Sequence, residues 1–437
     1  MTEEAFMGLA KEMRLGAKML GLRATVRALA AAGDPVAKVL GLRALDDPYP
    51  LYEKIRERGE LSRHPLGLHL TAKHSVVSSV LRDPRFRVEP AVDHVGVDWN
   101  IHPGDETRLR HPMEHSLLTM NPPRHTALRA LVAPWFTPRA LRDREERIEK
   151  IVDDFLDQAV YRASFDLVGD FAVRVPTKVV CDLFGIPDDR HADFSRWGSV
   201  LAGTLDGIRT LGERHAVRKA LAQMTEFFDE LILLRRKNPG DDVISGLVRA
   251  ELDGQPLHRD DVVALAGLLF VAGYETTVNL IGGGALNLLS DPAQKQRLLD
   301  DPSTARGVVE EVLRVEPPVQ FTLRFTREPL TLCGKQLPAD SPVVLLLAAA
   351  NRDPEVFVDP HRFDAERPNS REHLSFSAGI HFCLGAGLAR MEAEIALRRL
   401  FQRIPGLHLA GPIRYKRTRN IRGMTTMPVS ARMAPVT

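Results

Sequence analysis

The sequence predicts a mainly α-helical protein with small β-sheets, and three observations carry that prediction. Apolar residues recur at helical spacing over long stretches, as in Ile148–Leu156 and Ala216–Leu234. The most apolar segment, residues 260–290, is too long for a strand and reads as a helix. Runs of β character are short, among them Leu68–Thr71 and Val343–Leu347.

At 437 residues, length alone suggests about three domains. No linker, repeat or low-complexity tract divides the chain, so a single domain over 47–437 is expected, preceded by an extension over 1–46. A hydrophobic content of 44% is ample for a globular core, and a net charge of +2 gives no reason to expect nucleic-acid binding. Three cysteines (Cys181, Cys333 and Cys383) imply no disulfide framework and fit a reducing cytoplasm. The N-terminus lacks a compact apolar region with a cleavage site, so no signal peptide is expected.

The extension is basic and helix-patterned, with Phe6, Leu9, Met13, Met19, Leu20 and Val26 among Lys11, Arg14, Lys18, Arg23 and Arg27. Such a segment lies either on a membrane surface or, the reading taken here, against its own domain. Residues 89–116, rich in Asp, His, Pro and Gly, read as a long loop of the kind that is often functional. His125 and Arg129 sit one helical turn apart and share a face.

In the apolar helix, thirteen uncharged residues run from Val262 to Tyr274, a window long enough to raise a membrane span. Glu275, Asn279, Asn287 and the run Gly282–Gly284 favour a buried central helix instead, and no spanning segment is expected. An acid and two hydroxyls in mid-helix (Glu275, Thr276, Thr277) cost stability unless something uses them. Thr276 can bond back to the carbonyl one turn earlier, opening a groove that holds water.

Further on, Glu311 and Arg314 lie at i,i+3 on one helix face, and residues 351–373 are turn-rich. They lead into Phe376-Ser-Ala-Gly-Ile-His-Phe-Cys-Leu-Gly-Ala-Gly387. Gly379 and Gly385 permit positive φ and let a flat group approach the backbone. A helix starting just after Cys383 points its free N–H groups at the sulfur, which favours thiolate over thiol. A thiolate with one open face suits a haem iron as its fifth ligand.

The spacing Phe-x-x-Gly-x-His-x-Cys-x-Gly resembles the haem-ligand loop of the cytochrome P450 family, with Ser377 where the family often has Gly. Ala-Gly-Tyr-Glu-Thr-Thr resembles its oxygen-activation motif, with Tyr274 where many relatives have His. The resemblance covers about residues 47–430 and implies the cytochrome P450 haem-domain fold with haem b as cofactor and O₂ as co-substrate. It implies Cys383 as iron ligand, with Phe376 and Gly385 in the ligand loop. By the same resemblance Gly273 lets the distal helix approach the porphyrin, Glu275 relays protons from solvent to the bound dioxygen, and Thr276 stabilises the hydroperoxide. His125, Arg129, Arg324 and His381 match positions that anchor the haem propionates, which need cationic or N–H donors. Glu311 and Arg314 resemble the family's Glu-x-x-Arg, with Arg367 as third partner in folding rather than chemistry.

By the same resemblance the chain is a haem-thiolate monooxygenase that inserts one oxygen atom into a C–H or C=C bond. The cofactor carries that chemistry, while the protein supplies thiolate, proton relay, dry pocket and orientation. No Gly-x-Gly-x-x-Gly follows a strand and no cysteine cluster occurs, so a separate ferredoxin and NAD(P)H-dependent reductase are expected to supply electrons. Arg390, Arg398 and Arg399 form either part of that partner's docking face or a solvated helix face. A hydrogen-peroxide-dependent peroxygenase and a non-catalytic haem-binding protein are the rivals, and Glu275-Thr276 argues against both. The pocket is expected to draw on 89–116, 194–215, Leu268–Thr276, Val319–Leu323 and Gly423–Met427, which suits a lipophilic small molecule. A cytoplasmic monomer is expected.

Overall fold

The computed structural model describes residues 21–431 apart from 22, 40, 42–45, 89–115, 161, 163 and 207–209. Most of the basic extension and almost all of the 89–116 loop therefore lie outside the described residues. Within the extension, residues 23–31 are helical and Val26 is buried.

Eight helices build the body. They are α1 (Arg124–Val132), α2 (Glu145–Val160), α3 (Arg174–Phe184), α4 (His191–Ala202), α5 (Leu211–Lys237), α6 (Arg259–Ser290), α7 (Ala305–Val315) and α8 (Ala386–Arg403). The start of α5 is fixed by a capping box, in which Thr210 Oγ1 accepts from Glu213 N and the Glu213 carboxylate accepts from Thr210 N. At the centre runs α6, which packs against α3, α4, α7 and α8. A helix that is apolar all round must be covered all round. By length and composition α6 could cross a membrane, but 72% of its apolar window is buried inside the protein. It is a core helix.

Beside the helices lies a five-stranded sheet formed by β1 (Ser62–Arg63), β2 (His69–Thr71), β3 (Phe86–Arg87), β4 (Thr322–Thr326) and β5 (Pro342–Leu345). Its order is β1-β2-β5-β4-β3, with β5 parallel to β2 and the other pairs antiparallel. The apolar run from Val343 thus splits, ending as a strand at Leu345 and continuing as the short helix Leu347–Ala350. Arg324 sits inside β4, opposite Val343 of β5 in register.

The outer face of α8 is tied to α2. Arg398 and Arg399 both bond Glu149, at 2.6 and 3.0 Å, and Arg399 and Arg403 reach Asp153. Arg390 is held by Glu310. Arg390, Arg398 and Arg399 are all ion-paired within the fold while part of each side chain stays exposed. Periodicity along α8 places Arg398 and Arg399 on an outer face, and the packing of α2 onto that face gives them their partner, while Arg390 finds its own on α7.

Glu392 on α8 is 1% exposed, its Oε2 has no hydrogen-bond partner, and burial pushes its carboxyl up to about 8. The folded state therefore holds a proton that the unfolded chain has released above its ordinary value of 4.5. Stability should fall as pH rises from there to about 8 and then level off. The loss amounts to at most roughly 5 kcal/mol. Glu392→Gln should flatten this slope and raise the unfolding temperature at pH 8 more than at pH 5. Parallel slopes in the two proteins would contradict it.

Candidate active site

The cysteine loop is shaped by two left-handed residues. Gly379 has φ +67, and a Cβ there would lie 2.5 Å from Leu81 O, so only glycine lets the loop close onto residues 81–82. The second is Ser377, φ +62, a conformation that costs a non-glycine residue about 1–2 kcal/mol. Its Oγ is buried without a partner. Gly385 departs from expectation. Its φ is −85, and a Cβ there would meet nothing within 4 Å, so positive φ is needed at 377 and 379 and not at 385. Its backbone N–H instead hydrogen-bonds Cys383.

Phe376 O accepts from Cys383 N at 2.9 Å, closing the loop into a compact turn ahead of α8. Burial pushes the Cys383 thiol up, opposed by the Gly385 N–H, Arg129 and Arg390. The N–H and the two cations favour thiolate as expected, and burial opposes them. Cys383 is nevertheless exposed, which in a residue desolvated by surrounding protein marks the lining of an internal space.

A matching opening occurs in mid-α6. Leu269, Ala272, Gly273 and Thr276 retain accessible surface at helical spacing, while their neighbours from Val262 to Leu268 and from Thr277 to Ala285 are buried. Thr276 Oγ1 donates to Ala272 O at 2.7 Å, the back-bond that loosens a helix locally. A Cβ on Gly273 would meet only Val180, at 3.4 Å, so the protein's own packing does not demand glycine there. Tyr274 points into the core, stacked on Phe270 with its hydroxyl 3.0 Å from Ser195 Oγ.

Glu275 is 5% exposed and forms an ion pair with Lys416, whose ammonium also donates to Asn279 Oδ1 at 3.2 Å. Lys416 lies beside the hairpin of Arg414–Tyr415 and Met424–Thr426 and is placed by its backbone bond to Gly423 O. The acid is therefore tethered to a cation from the far end of the chain.

Four groups that carry or can carry positive charge converge near the cysteine loop. Arg324 is 5% exposed, bonds only Thr322 Oγ1 and Leu323 O among the described residues, and burial brings it down to about 10. His125 is buried with both ring nitrogens unpaired, and its ring lies 4.4 Å from that of His381. Burial, together with Arg324 and His125, pushes His381 down to about 3. Arg129 donates to Phe382 O at 2.7 Å. Among the described residues no carboxylate answers this cluster. Unpaired buried nitrogens and an uncompensated arginine call for an anion with more than one charge. Haem b carries two propionates and an iron that takes a thiolate, so the residues present fit it.

Behind the loop, Arg314 grips Glu311 through two bonds of 2.8 and 2.7 Å, both side chains being 0% exposed. Arg367 Nε reaches the same carboxylate at 2.9 Å. Spare guanidinium protons go to Asn351 O, Pro360 O and Arg362 O from Arg314, and to Asp359 O from Arg367. The triad thereby nails the turn-rich segment 351–367 to α7.

Sequence reasoning brought Cys383, Phe376, His381, His125, Arg129 and Arg324 to one region and joined Glu311, Arg314 and Arg367. It missed Lys416 and Asn279 around Glu275, and Glu310, His373 and Arg390 around Phe376. Lys416 stands 141 residues from its partner in a basic run with no periodic signal. Glu310 was hidden beside Glu311, where charge spacing alone cannot tell which of two adjacent acids faces which neighbour.

Comparison with known proteins agrees with this geometry. A family model described as cytochrome P450 matches residues 208–404. The chain is 38% identical over 401 residues to the cytochrome P450 monooxygenase PikC of Streptomyces venezuelae, covering 89% of this chain and 92% of that protein. It is 36% identical over 394 residues to the vitamin D(3) 25-hydroxylase of Pseudonocardia autotrophica, covering 88% and 94%. Among solved structures, ligand-free CYP164A2 of Mycobacterium smegmatis is similar with a TM-score of 0.81 at 37% identity, covering 91% of this chain and 99% of that one.

Proposed function

The chain belongs to the cytochrome P450 family, monooxygenases that bind haem b and use O₂, and from that premise we propose how its own residues serve the reaction. Cys383 would hold the haem iron through its thiolate. Arg324, His125, His381 and Arg129 take the propionates, and Phe376 and Gly385 shape the ligand loop. When bound, haem b supplies the activation of O₂ and the transfer of one oxygen atom. The open face of α6 at Leu269, Ala272, Gly273 and Thr276 would border the cofactor and the substrate. Glu275 passes protons inward, and Thr276, its hydroxyl anchored on Ala272 O, steadies the water that completes the relay. Glu311, Arg314 and Arg367 hold the fold behind the ligand loop. The observation that carries this reading is the cluster around Arg324, buried and, among the described residues, without a carboxylate, beside an exposed cysteine.

The substrate is a lipophilic small molecule. Apolar Leu269 and Ala272 on the open face of α6 support this, as does the relative whose name gives vitamin D(3) as its substrate. Electrons come from a ferredoxin and its NAD(P)H-dependent reductase, because the chain carries no flavin, nicotinamide or iron–sulfur motif. The protein works in the cytoplasm as a monomer, with 47–437 as one domain behind the extension 1–46.

Purified protein mixed with NAD(P)H alone should stay oxidised, whereas ferredoxin plus reductase should reduce it and support product formation from O₂. Catalytic reduction by the nicotinamide alone would contradict the separate chain. Product formation from hydrogen peroxide as fast as from the full redox chain would favour a peroxygenase. A panel of terpenoids, steroids, fatty acids and polyketides, screened for a spin-state change in the haem spectrum, then identifies the substrate class.

A further inference from the structure

Arg390, one turn into α8, is held from two sides. Its guanidinium forks onto Glu310, with Nε to Oε1 at 2.8 Å and Nη2 to Oε2 at 3.2 Å. It also lies 4.4 Å from the centre of the Phe376 ring, within cation–π range. Phe376 is the residue whose carbonyl accepts from Cys383 N at 2.9 Å. Glu310 in turn is 4% exposed and bonded by His373 Nε2 at 3.1 Å, while His373 Nδ1 accepts from Ser375 N. His373 also packs its ring 5.8 Å from Phe376. A half-buried cation has thus been fixed in orientation by a bidentate carboxylate and an aromatic face. A surface arginine kept for solubility or loose docking needs neither.

Two further observations show where that charge acts. The ring that Arg390 covers belongs to the residue that closes the ligand loop, so one side chain, Phe376, separates the guanidinium from the backbone that holds Cys383. Glu310 is held down at about 2 by His373 and Arg390 against burial, so it remains ionised and partly cancels the Arg390 field. Burial pushes His373 down, opposed by its bond to the Glu310 carboxylate. The net field at the sulfur depends on how much of the Arg390 charge Glu310 cancels.

We propose that Arg390 is a positioning residue of the Cys383 loop whose fixed positive charge, trimmed by Glu310, sets how readily the bound haem iron accepts an electron. This rests on Cys383 being the ligand. Positive charge beside a thiolate draws its electron density away from the iron and favours the reduced state. Reduction here takes up one electron from a mediating dye and neither makes nor breaks a bond.

The test is a dye-mediated redox titration of the isolated haem-loaded protein, with no partner present. Arg390→Gln should shift the midpoint to more negative values. At a fixed applied potential the reduced-to-oxidised ratio should fall on the order of tenfold, as loss of a unit charge at protein-like screening implies. Arg390→Lys, which keeps the charge, should recover most of the shift. Glu310→Gln should move the midpoint the other way, so the proposal survives even if one variant fails to take up haem. Arg398→Gln, on the same helix but paired with Glu149, should leave the midpoint alone.

An unchanged midpoint in Arg390→Gln, with slower reduction by ferredoxin at low salt, would overturn the proposal and make Arg390 a docking residue. Equal shifts in Arg390→Gln and Arg390→Lys would also overturn it, since shape rather than charge would then matter. If Cys383 is not the ligand, the thiolate-type spectrum survives Cys383→Ser. If only this inference is wrong, that spectrum is lost as expected while the midpoints coincide.

Discussion

Cys383→Ser should abolish oxygen insertion and the thiolate-type spectrum while leaving the helical fold in place. The loop's backbone does not depend on sulfur, because Cys383 N still bonds Phe376 O and Gly379 still closes on Leu81. What is lost is an anion that the site is arranged to receive, with the Gly385 N–H bonded to the sulfur and the charges of Arg129 and Arg390 favouring it. A serine hydroxyl is not ionised at neutral pH and pushes far less electron density onto iron. Product formation with full redox partners should fall below detection, and circular dichroism should be unchanged. Retained turnover in the serine variant would remove Cys383 from the mechanism.

Glu275 and Thr276 should separate into two phenotypes. Glu275→Gln keeps the shape of the side chain but removes the proton carrier, so turnover should slow, by ~10²–10⁴-fold for general acid–base assistance. Thr276→Ala removes the hydroxyl that bonds Ala272 O, and there electron consumption should continue while product per electron falls and hydrogen peroxide accumulates. Thr277, 2% exposed and buried beside the open face, should tolerate Ala or Val with coupling intact. Measuring NAD(P)H consumed, peroxide released and product formed in the same assay distinguishes the cases. Unchanged coupling in Thr276→Ala, with substrate and partners saturating, contradicts the relay. Lys416 enters here as well, since it holds Glu275 in its buried setting and supplies the counter-charge that makes an ionised acid tolerable there.

Much of this was legible because the chemistry is concentrated in short strings. The cysteine loop and the acid–alcohol pair of α6 each lie within a dozen residues, where spacing translates directly into geometry. The Glu311–Arg314 pair was readable for the same reason, and Arg367 followed from the family resemblance. Partners brought together by topology were not readable. Lys416 meets Glu275 only because a C-terminal hairpin folds back over α6, and Arg398 and Arg399 are neutralised only because α2 lies against α8. Backbone detail also escaped the sequence. Glycine at 385 looked like a turn requirement, yet the left-handed positions fall at Ser377 and Gly379. The balance at Cys383 could not be guessed either, because helix-end N–H groups are visible in a sequence and desolvation is not.

The most direct test of the central claim uses a protein with a single cysteine. Cys181 is fully buried and its thiol is pushed up by burial, while Cys333 sits in the hairpin turn between Leu330–Leu332 and Lys335–Leu337, at φ +48. Neither is flanked by the glycine loop. Cys181→Ala/Cys333→Ala protein, loaded with haem b, reduced and exposed to carbon monoxide, should show the red-shifted Soret band of a thiolate-ligated haem at wild-type intensity. Loss of that band with haem still bound would mean that Cys383 is not the ligand.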